Sequence, residues 1–285
     1  MGSWFSTLFN MEKSLELESS SLGDLPEGCL ASVLLFLDPL EICNLARVNR
    51  RFCGASSVDF VWLSKLPPNY DAIIHRVFDD FPSTLCKKDV YARLCKQNFF
   101  DEGTKVVWLD KRTGKLCLSI SSKDMIITGI DDQRYWNYIP TEESRFGMVA
   151  YLHQIWWFKA NGEVEFPFPP GKYSMFFRVH LGRASERFGN QICNSNQVHG
   201  WDVQPTQFRF STYDGQGSRS PCFVDTPGKW IHYHAGDFVV DCHQTAPKKI
   251  KFSMTQIACS YIEGDLCLDS LVIYPTEFRE RVEPF

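Results

Sequence analysis

The chain has 285 residues, 44% of them hydrophobic and 14% aromatic, which suffices for a buried core and for one large or two ordinary domains. A formal net charge of -4, with basic runs no longer than Arg50-Arg51, Lys87-Lys88 and Lys248-Lys249 with Lys251, gives no long-range pull toward nucleic acid. No run of eighteen apolar residues occurs, and residues 1–20 carry Glu12, Glu16 and Glu18 instead of a basic and then apolar leader. Neither a membrane span nor a secretory signal is expected.

The chain opens on Met1-Gly2-Ser3-Trp4-Phe5-Ser6, which formally fits the glycine myristoylation pattern. Trp4 and Phe5 are bulky for that pattern and no basic patch supports a single acyl chain, so residues 1–21 read as a tail with two exposed aromatics. The acidic, Ser-rich residues 12–24 read as a linker.

Residues 25–66 form an apolar unit too small to be comfortable alone. Leu30, Val33, Leu34 and Leu37 fall at i, i+3, i+4 and i+7, one stripe of a helix, while Leu35 and Phe36 widen the apolar surface beyond it. Asp38-Pro39 stops that helix, a second starts at Leu40 with Ile42, Leu45, Ala46 and Val48, and Trp62 closes the unit. Helices so short need a partner: either this is a buried core piece or it is a docking module.

Pro67-Pro68 breaks the chain, and two helical patterns follow, Tyr70 to Phe81 and then a segment capped at Ser83-Thr84 and ending near Asn98. Leu85, Val90, Tyr91, Leu94 and Cys95 supply the buried side of the second, so residues 68–104 read as a packed helical bridge. From Lys105 the period becomes that of strands. Tyr173, Met175, Phe177, Val179 and Leu181 alternate with Ser174, Phe176, Arg178 and His180, and Ile250, Phe252 and Met254 alternate with Lys249, Lys251, Ser253 and Thr255. Further strand candidates are 106–109, 116–120, 125–128, 148–158, 208–212, 230–234, 238–241 and 267–274, punctuated by Asn161-Gly162, Asp214-Gly215, Pro227-Gly228 and Ala235-Gly236. About eight to ten short strands without a long helix imply an all-β sandwich or jelly roll. The fold class is therefore α+β multidomain, a small all-α module and helical bridge before the sandwich.

Eleven cysteines, odd in number, dispersed and never spaced C-x-x-C, argue for reduced thiols in the nucleus or cytoplasm. His232-x-His234 has Asp237, Asp241, Cys242 and His243 nearby but no second ligand pair, so neither a metal nor a cofactor is expected. No nucleophile elbow, phosphate loop, dinucleotide loop or zinc-protease motif occurs; the carboxylate pairs Glu142-Glu143 and Glu163 with Glu165 are the kind that arise by chance. No catalytic residue is assigned.

Leu25-Pro26, the leucine-rich helix, Leu37-Asp38-Pro39, Val48-Asn49-Arg50-Arg51-Phe52, Val61-Trp62 and Leu66 stand in the order of an F-box, and residues 22–67 resemble that family. The resemblance implies docking to a Skp-type adaptor, and through it to a cullin scaffold and a ubiquitin-conjugating enzyme. Leu25, Pro26, Leu30, Val33, Leu34, Leu37, Pro39, Leu45 and Val48 would be the docking surface or its support. Gly28-Cys29 and Phe52 depart from the commoner residues, Phe52 standing where Trp is frequent.

The second half, 105–285, resembles the phloem-lectin (Nictaba-like) domain, through Arg112 to Cys117, Ile127-Thr128 leading to Tyr135-Trp136, Ser144-Arg145-Phe146, Val149 to Leu152, Ile155-Trp156-Trp157 and Leu271 to Pro275. In order, the chain resembles the plant F-box proteins that carry a phloem-lectin domain. The implied function is substrate recognition in a Skp-cullin-F-box ubiquitin ligase, with the lectin-like half taking a protein or glycoprotein client. The alternative is a stand-alone intracellular carbohydrate-binding lectin. A sugar ring wants an aromatic plane and fixed acceptors, for which Trp136 with Tyr135 or Tyr138, and Asp131, Asp132, Glu263 or Asp269, are the candidates. Trp136 is equally suited to core filling, and alternation sends Trp156 and Trp157 to opposite faces, one of them inward. Gly129 stands where the lectins carry a further Trp.

Overall fold

The computed structural model describes residues 25–82, 84–183, 200–243, 246–257 and 263–279. The Gly2 pattern, the acidic linker, Ser83, Cys193 and Cys259 lie outside them. The chain divides into two compact units, the first ending at Ser64 and the second beginning at Lys65.

Four short helices make the first unit: α1 (Glu27–Leu34), α2 (Pro39–Leu45), α3 (Arg50–Ala55) and α4 (Asp59–Leu63). Their ends explain why so short a set is ordered. Asp38 precedes Pro39 at the first position of α2, where a missing N–H costs nothing, and the Glu41 carboxylate accepts from the Asp38 N–H at 3.0 Å. Asn49 Oδ1 accepts from the Phe52 N–H at 2.9 Å to start α3. Leu30, Ala31, Leu34, Ile42, Phe52, Ala55, Val61 and Trp62 are buried, and the Trp62 indole N–H donates to the Ser56 carbonyl at 2.6 Å.

The second unit begins with α5 (Tyr70–Val77) and α6 (Lys87–Leu94), each a turn or more shorter than its sequence pattern. The expected bridge is not helical to its end: Asn98–Phe100 is strand β1, paired antiparallel with β2 (Lys105–Leu109). Asp101, Glu102 and Gly103 all have positive φ in the turn between them. Arg76 of α5 ties to that turn through paired bonds to the Asp101 carboxylate at 2.8 and 2.7 Å, with its guanidinium over the Phe100 ring.

The strands form two antiparallel sheets. The larger has eight: β1, β2, β3 (Leu116–Ser121), β13 (Glu263–Pro275), β6 (Met148–Ile155) and β5 (Trp136–Pro140) in order, with β8 (Gly171–Leu181) beside β13 and β11 (Trp230–Val240) beside β8. The smaller runs β10 (Gly217–Cys222), β9 (Thr206–Thr212), β12 (Lys248–Gln256), β7 (Phe158–Phe166) and β4 (Ile126–Ile127). Aromatic rings from one sheet meet those of the other, as in Phe177 with Phe208, Phe210 with Phe238 and Trp136 with Phe158, so the core is the layer between them. The α+β class expected from the sequence is the class observed.

Two strands depart from expectation. β12 alternates cleanly, but β8 is buried on both faces, with Ser174 and Phe176 at 0% exposure and His180 at 6%. The run 148–158 is broken at Trp156-Trp157, where the chain leaves the larger sheet as β6 and enters the smaller as β7. Two glycines read as turn punctuation sit inside strands instead. A Cβ on Gly162 would lie 2.5 Å from Phe252 Cζ, and one on Gly236, whose φ is +146°, would lie 2.4 Å from Phe210 Cε1. Gly236 also marks a bulge in the β11–β8 pairing.

Candidate functional site

In the first unit the nine candidate docking residues separate by burial. Leu25, Pro26, Val33 and Val48 are exposed, Leu37 and Leu45 are half-buried, and Leu30, Leu34 and Pro39 are core. Stripe arithmetic picks the inward face of α1, so Leu30 and Leu34 shape the surface without forming it. The most open apolar side chain is Phe36 at 90% exposure, in the turn where its N–H bonds the Val33 carbonyl; Leu40 (56%), Phe60 and Leu63 are also open. Phe36 was marked as off the stripe, which is the signal that it points elsewhere. So many large apolar groups in contact with water on so small a unit is the signature of a surface that another chain covers.

In the second unit the sugar-site candidates do not converge. Trp136 is 1% exposed; its ring packs on Phe158 and its indole N–H donates to the Thr128 carbonyl at 3.0 Å. It fills the core and offers no open stacking plane. Asp269 is 2% exposed and sits at the bulge where β13 skips a residue against β8, its carboxylate taken up by Arg178 Nη1 at 2.8 Å, Ser144 Oγ at 2.5 Å and Ser270 Oγ at 2.9 Å. It too is structural, with no oxygen aimed at solvent. Glu263 pairs through its backbone with Ile155.

What remains outside is Tyr135, half-buried under the Arg134 guanidinium, and Tyr138, 36% exposed with the Lys123 ammonium 5.7 Å from its ring centre. Partial burial, and then the charge of Asp131, push the Tyr138 phenol up from its ordinary pKa, so Asp131 lies close to it. Asp132 is held by Arg134 at 2.7 Å. Sequence reading missed Asn137 and His153, bonded side chain to side chain at 2.8 Å on adjacent strands β5 and β6, because both fall at outward positions beside the motif residues of those strands and outside the motifs themselves.

The expected opposition of Trp156 and Trp157 is also corrected. They form the link between β6 and β7, and both are open, at 55% and 45%. Alternation holds within a strand and not across a link that changes sheets. Gly129 has φ +75°, and a Cβ there would meet Tyr135 and Ile155, the residue before Trp156.

One member of each carboxylate pair is engaged. Glu143 accepts the Trp230 indole N–H at 2.7 Å, and Glu163, bonded to Lys249, is held below the usual glutamate pKa. Burial, reinforced by Arg178 and Arg145, lowers the His232 pKa to about 4, and His234 bonds Asp237. No group of three or more His, Cys, Asp or Glu among the described residues could hold a metal ion, and no helix there is long and apolar enough to cross a membrane.

The chain is thus built of two parts, a small unit of capped helices with open apolar side chains and a two-sheet sandwich. Residues 22–66 match the F-box-like family and residues 115–275 match phloem protein 2. The chain is 51% identical over 99% of both lengths to F-box protein PP2-A11 of Arabidopsis thaliana, and 55% identical to F-box protein PP2-A13 of the same plant over 92% of this chain and 90% of that one. It belongs to the F-box proteins that carry a phloem protein 2 domain. Among solved structures, a family 35 carbohydrate binding module from Clostridium thermocellum aligns over 56% of this chain and 98% of its own at 10% identity, with a TM-score of 0.33, too low to carry an argument.

Proposed function

We propose that the chain is the non-catalytic substrate-recognition subunit of a Skp-cullin-F-box ubiquitin ligase, working in the nucleus or cytoplasm. The helical unit docks a Skp-type adaptor, which brings the cullin, and the sandwich captures a protein or glycoprotein client. The observation that supports this most is the exposure of Phe36, Leu40, Val48, Val33 and Leu25 on a unit of four short helices matched by the F-box-like family. Apolar side chains of this size gain about 1.5–3 kcal/mol each when fully covered. The test is adaptor pull-down with the full chain: Phe36→Ala, and separately Leu25→Ala with Pro26→Ala, should weaken capture at unchanged thermal stability. Capture equal to the unmodified chain would overturn the reading.

Sugar binding by the sandwich is the second reading, and the paired exposure of Trp156 and Trp157 favours it. Apolar sugar faces stack on open aromatic planes. A glycan array with the full chain should give specific retention that Trp156→Ala removes; blank wells leave a protein epitope as the client.

A further inference from the structure

The outer face of the five-stranded sheet carries a charge pattern that neither docking by the helices nor sugar stacking uses. Three central strands place Arg209 (β9), Lys251 (β12) and Lys159 (β7) on it, interleaved with the hydroxyls of Ser211 and Ser253 and the amide of Asn161. These side chains line a shallow depression of about 580 Å³ in which Glu163 is the one carboxylate. That carboxylate is already engaged, 2.6 Å from Lys249 and 3.7 Å from Lys251. Lys159 and Arg209 have no carboxylate partner among the described residues.

At the sheet edge the pattern sharpens. Arg219 of β10 stands directly opposite Arg209 in the register, its Nε donating to Gln207 Oε1 at 2.6 Å. Like charges directly opposite across antiparallel strands repel, and an anion lying between them would turn that cost into attraction. Phe210 and Phe252 beneath the face are only 4% and 2% exposed, and the open ring beside it, Tyr213, is already covered by the Lys249 and Lys251 ammoniums at 5.0 and 5.4 Å. Recognition here is by charge and hydrogen bond, which suits a peptide carboxylate or phosphate better than a neutral sugar.

We infer that the outer face of the smaller sheet is a docking surface for an extended acidic segment of the client protein, held by Arg219, Arg209, Lys251 and Lys159. The inference rests on the client-receptor reading and names the chemistry of the client. In the register Arg219, Arg209, Ser253 and Asn161 make one row across the strands, with Lys251 two residues to one side of it and Lys159 two to the other, so a chain crossing the strands runs between flanking cations.

The test is fluorescence anisotropy with the purified full chain and a labelled dodecapeptide of alternating glutamate and serine, alongside its phosphoserine and glutamine counterparts. The glutamate or phosphoserine peptide should bind, weaken as salt rises, and lose about tenfold in affinity in the Arg209→Ala, Lys159→Ala double variant, while the glutamine peptide stays unbound. Glu163→Gln, which frees Lys249 and Lys251, should tighten binding. Equal binding of glutamine and glutamate peptides, indifference to the double variant, or tighter binding of an oligogalacturonate or single-stranded DNA of equal length would overturn the inference. Adaptor pull-down with the unmodified chain separates the two readings. Absent peptide binding with intact capture sinks this surface alone, and peptide binding with no capture sinks adaptor docking alone.

Discussion

Ser144 and Asp269 lie 125 residues apart in the chain, and the Ser144 hydroxyl donates to the Asp269 carboxylate at 2.5 Å. The same serine accepts from the Phe146 N–H, and the same aspartate holds Arg178, so one buried carboxylate fastens the connection between β5 and β6 to the middle of the larger sheet. Asp269→Ala would leave the largely buried Arg178 guanidinium without its counter-charge. Breaking such a pair costs about 3–5 kcal/mol, and the unfolding free energy from urea titration should fall by that amount. A fall below about 1 kcal/mol would mean that Arg178 swings out to water.

Trp136 and Trp156 should separate stability from binding. Trp136→Ala removes a ring at 1% exposure and should cost about 3–5 kcal/mol, whereas Trp136→Phe, losing the bond to the Thr128 carbonyl, should cost about 1–2 kcal/mol. Trp156→Ala, at 55% exposure, should stay within about 0.5 kcal/mol of the unmodified chain. Thermal melts decide this, and they must precede any reading of glycan retention.

The docking helices allow a parallel separation. Leu30→Ala cuts into the core of the first unit and should destabilise it by about 2–5 kcal/mol, while Phe36→Ala should leave it folded. Helix signal in circular dichroism, followed through thermal unfolding, distinguishes the two. If Leu30→Ala lost adaptor capture with the unit fully folded, Leu30 would belong to the surface after all.

Much of this was legible beforehand, and the failures share a cause. The order of motifs over 25–66 and the alternation of β12 were visible because one side of each element meets water and the other does not. β8 hid its pairing because both its faces are covered, which makes polar Ser174 and His180 core residues. Trp136, equally suited to core or site by its type, and Asp269, a candidate acceptor, turn out to be core for the same reason: a sequence gives chemical type, while burial depends on strands brought together from far along the chain. Asn161-Gly162 looked like a turn because local propensity cannot know that the Phe252 ring lies where a Cβ would be.

His232 makes stability depend on pH. It titrates at about 4 in the folded chain because of burial and the nearby Arg178 and Arg145, against 6.5 when unperturbed. Between those values the unfolded chain binds a proton that the folded one does not, so this contribution is complete above pH 6.5 and is lost as pH falls toward 4. The His232→Phe variant should lose less stability than the unmodified chain between about pH 7.5 and about pH 5, measured by urea midpoints. Parallel losses would place the pH dependence elsewhere.

β13 borders β8 along nearly its whole length on one side and β6 and then β3 on the other, yet among the described residues it is the last strand in chain order. During synthesis the four short helices can settle early, since their contacts are local, but β3, β6 and β8 keep unsatisfied edges until residues 263–275 leave the ribosome. A message truncated shortly before Glu263 would thus yield a polypeptide whose helical unit is whole but whose strand edges gape open to aggregation.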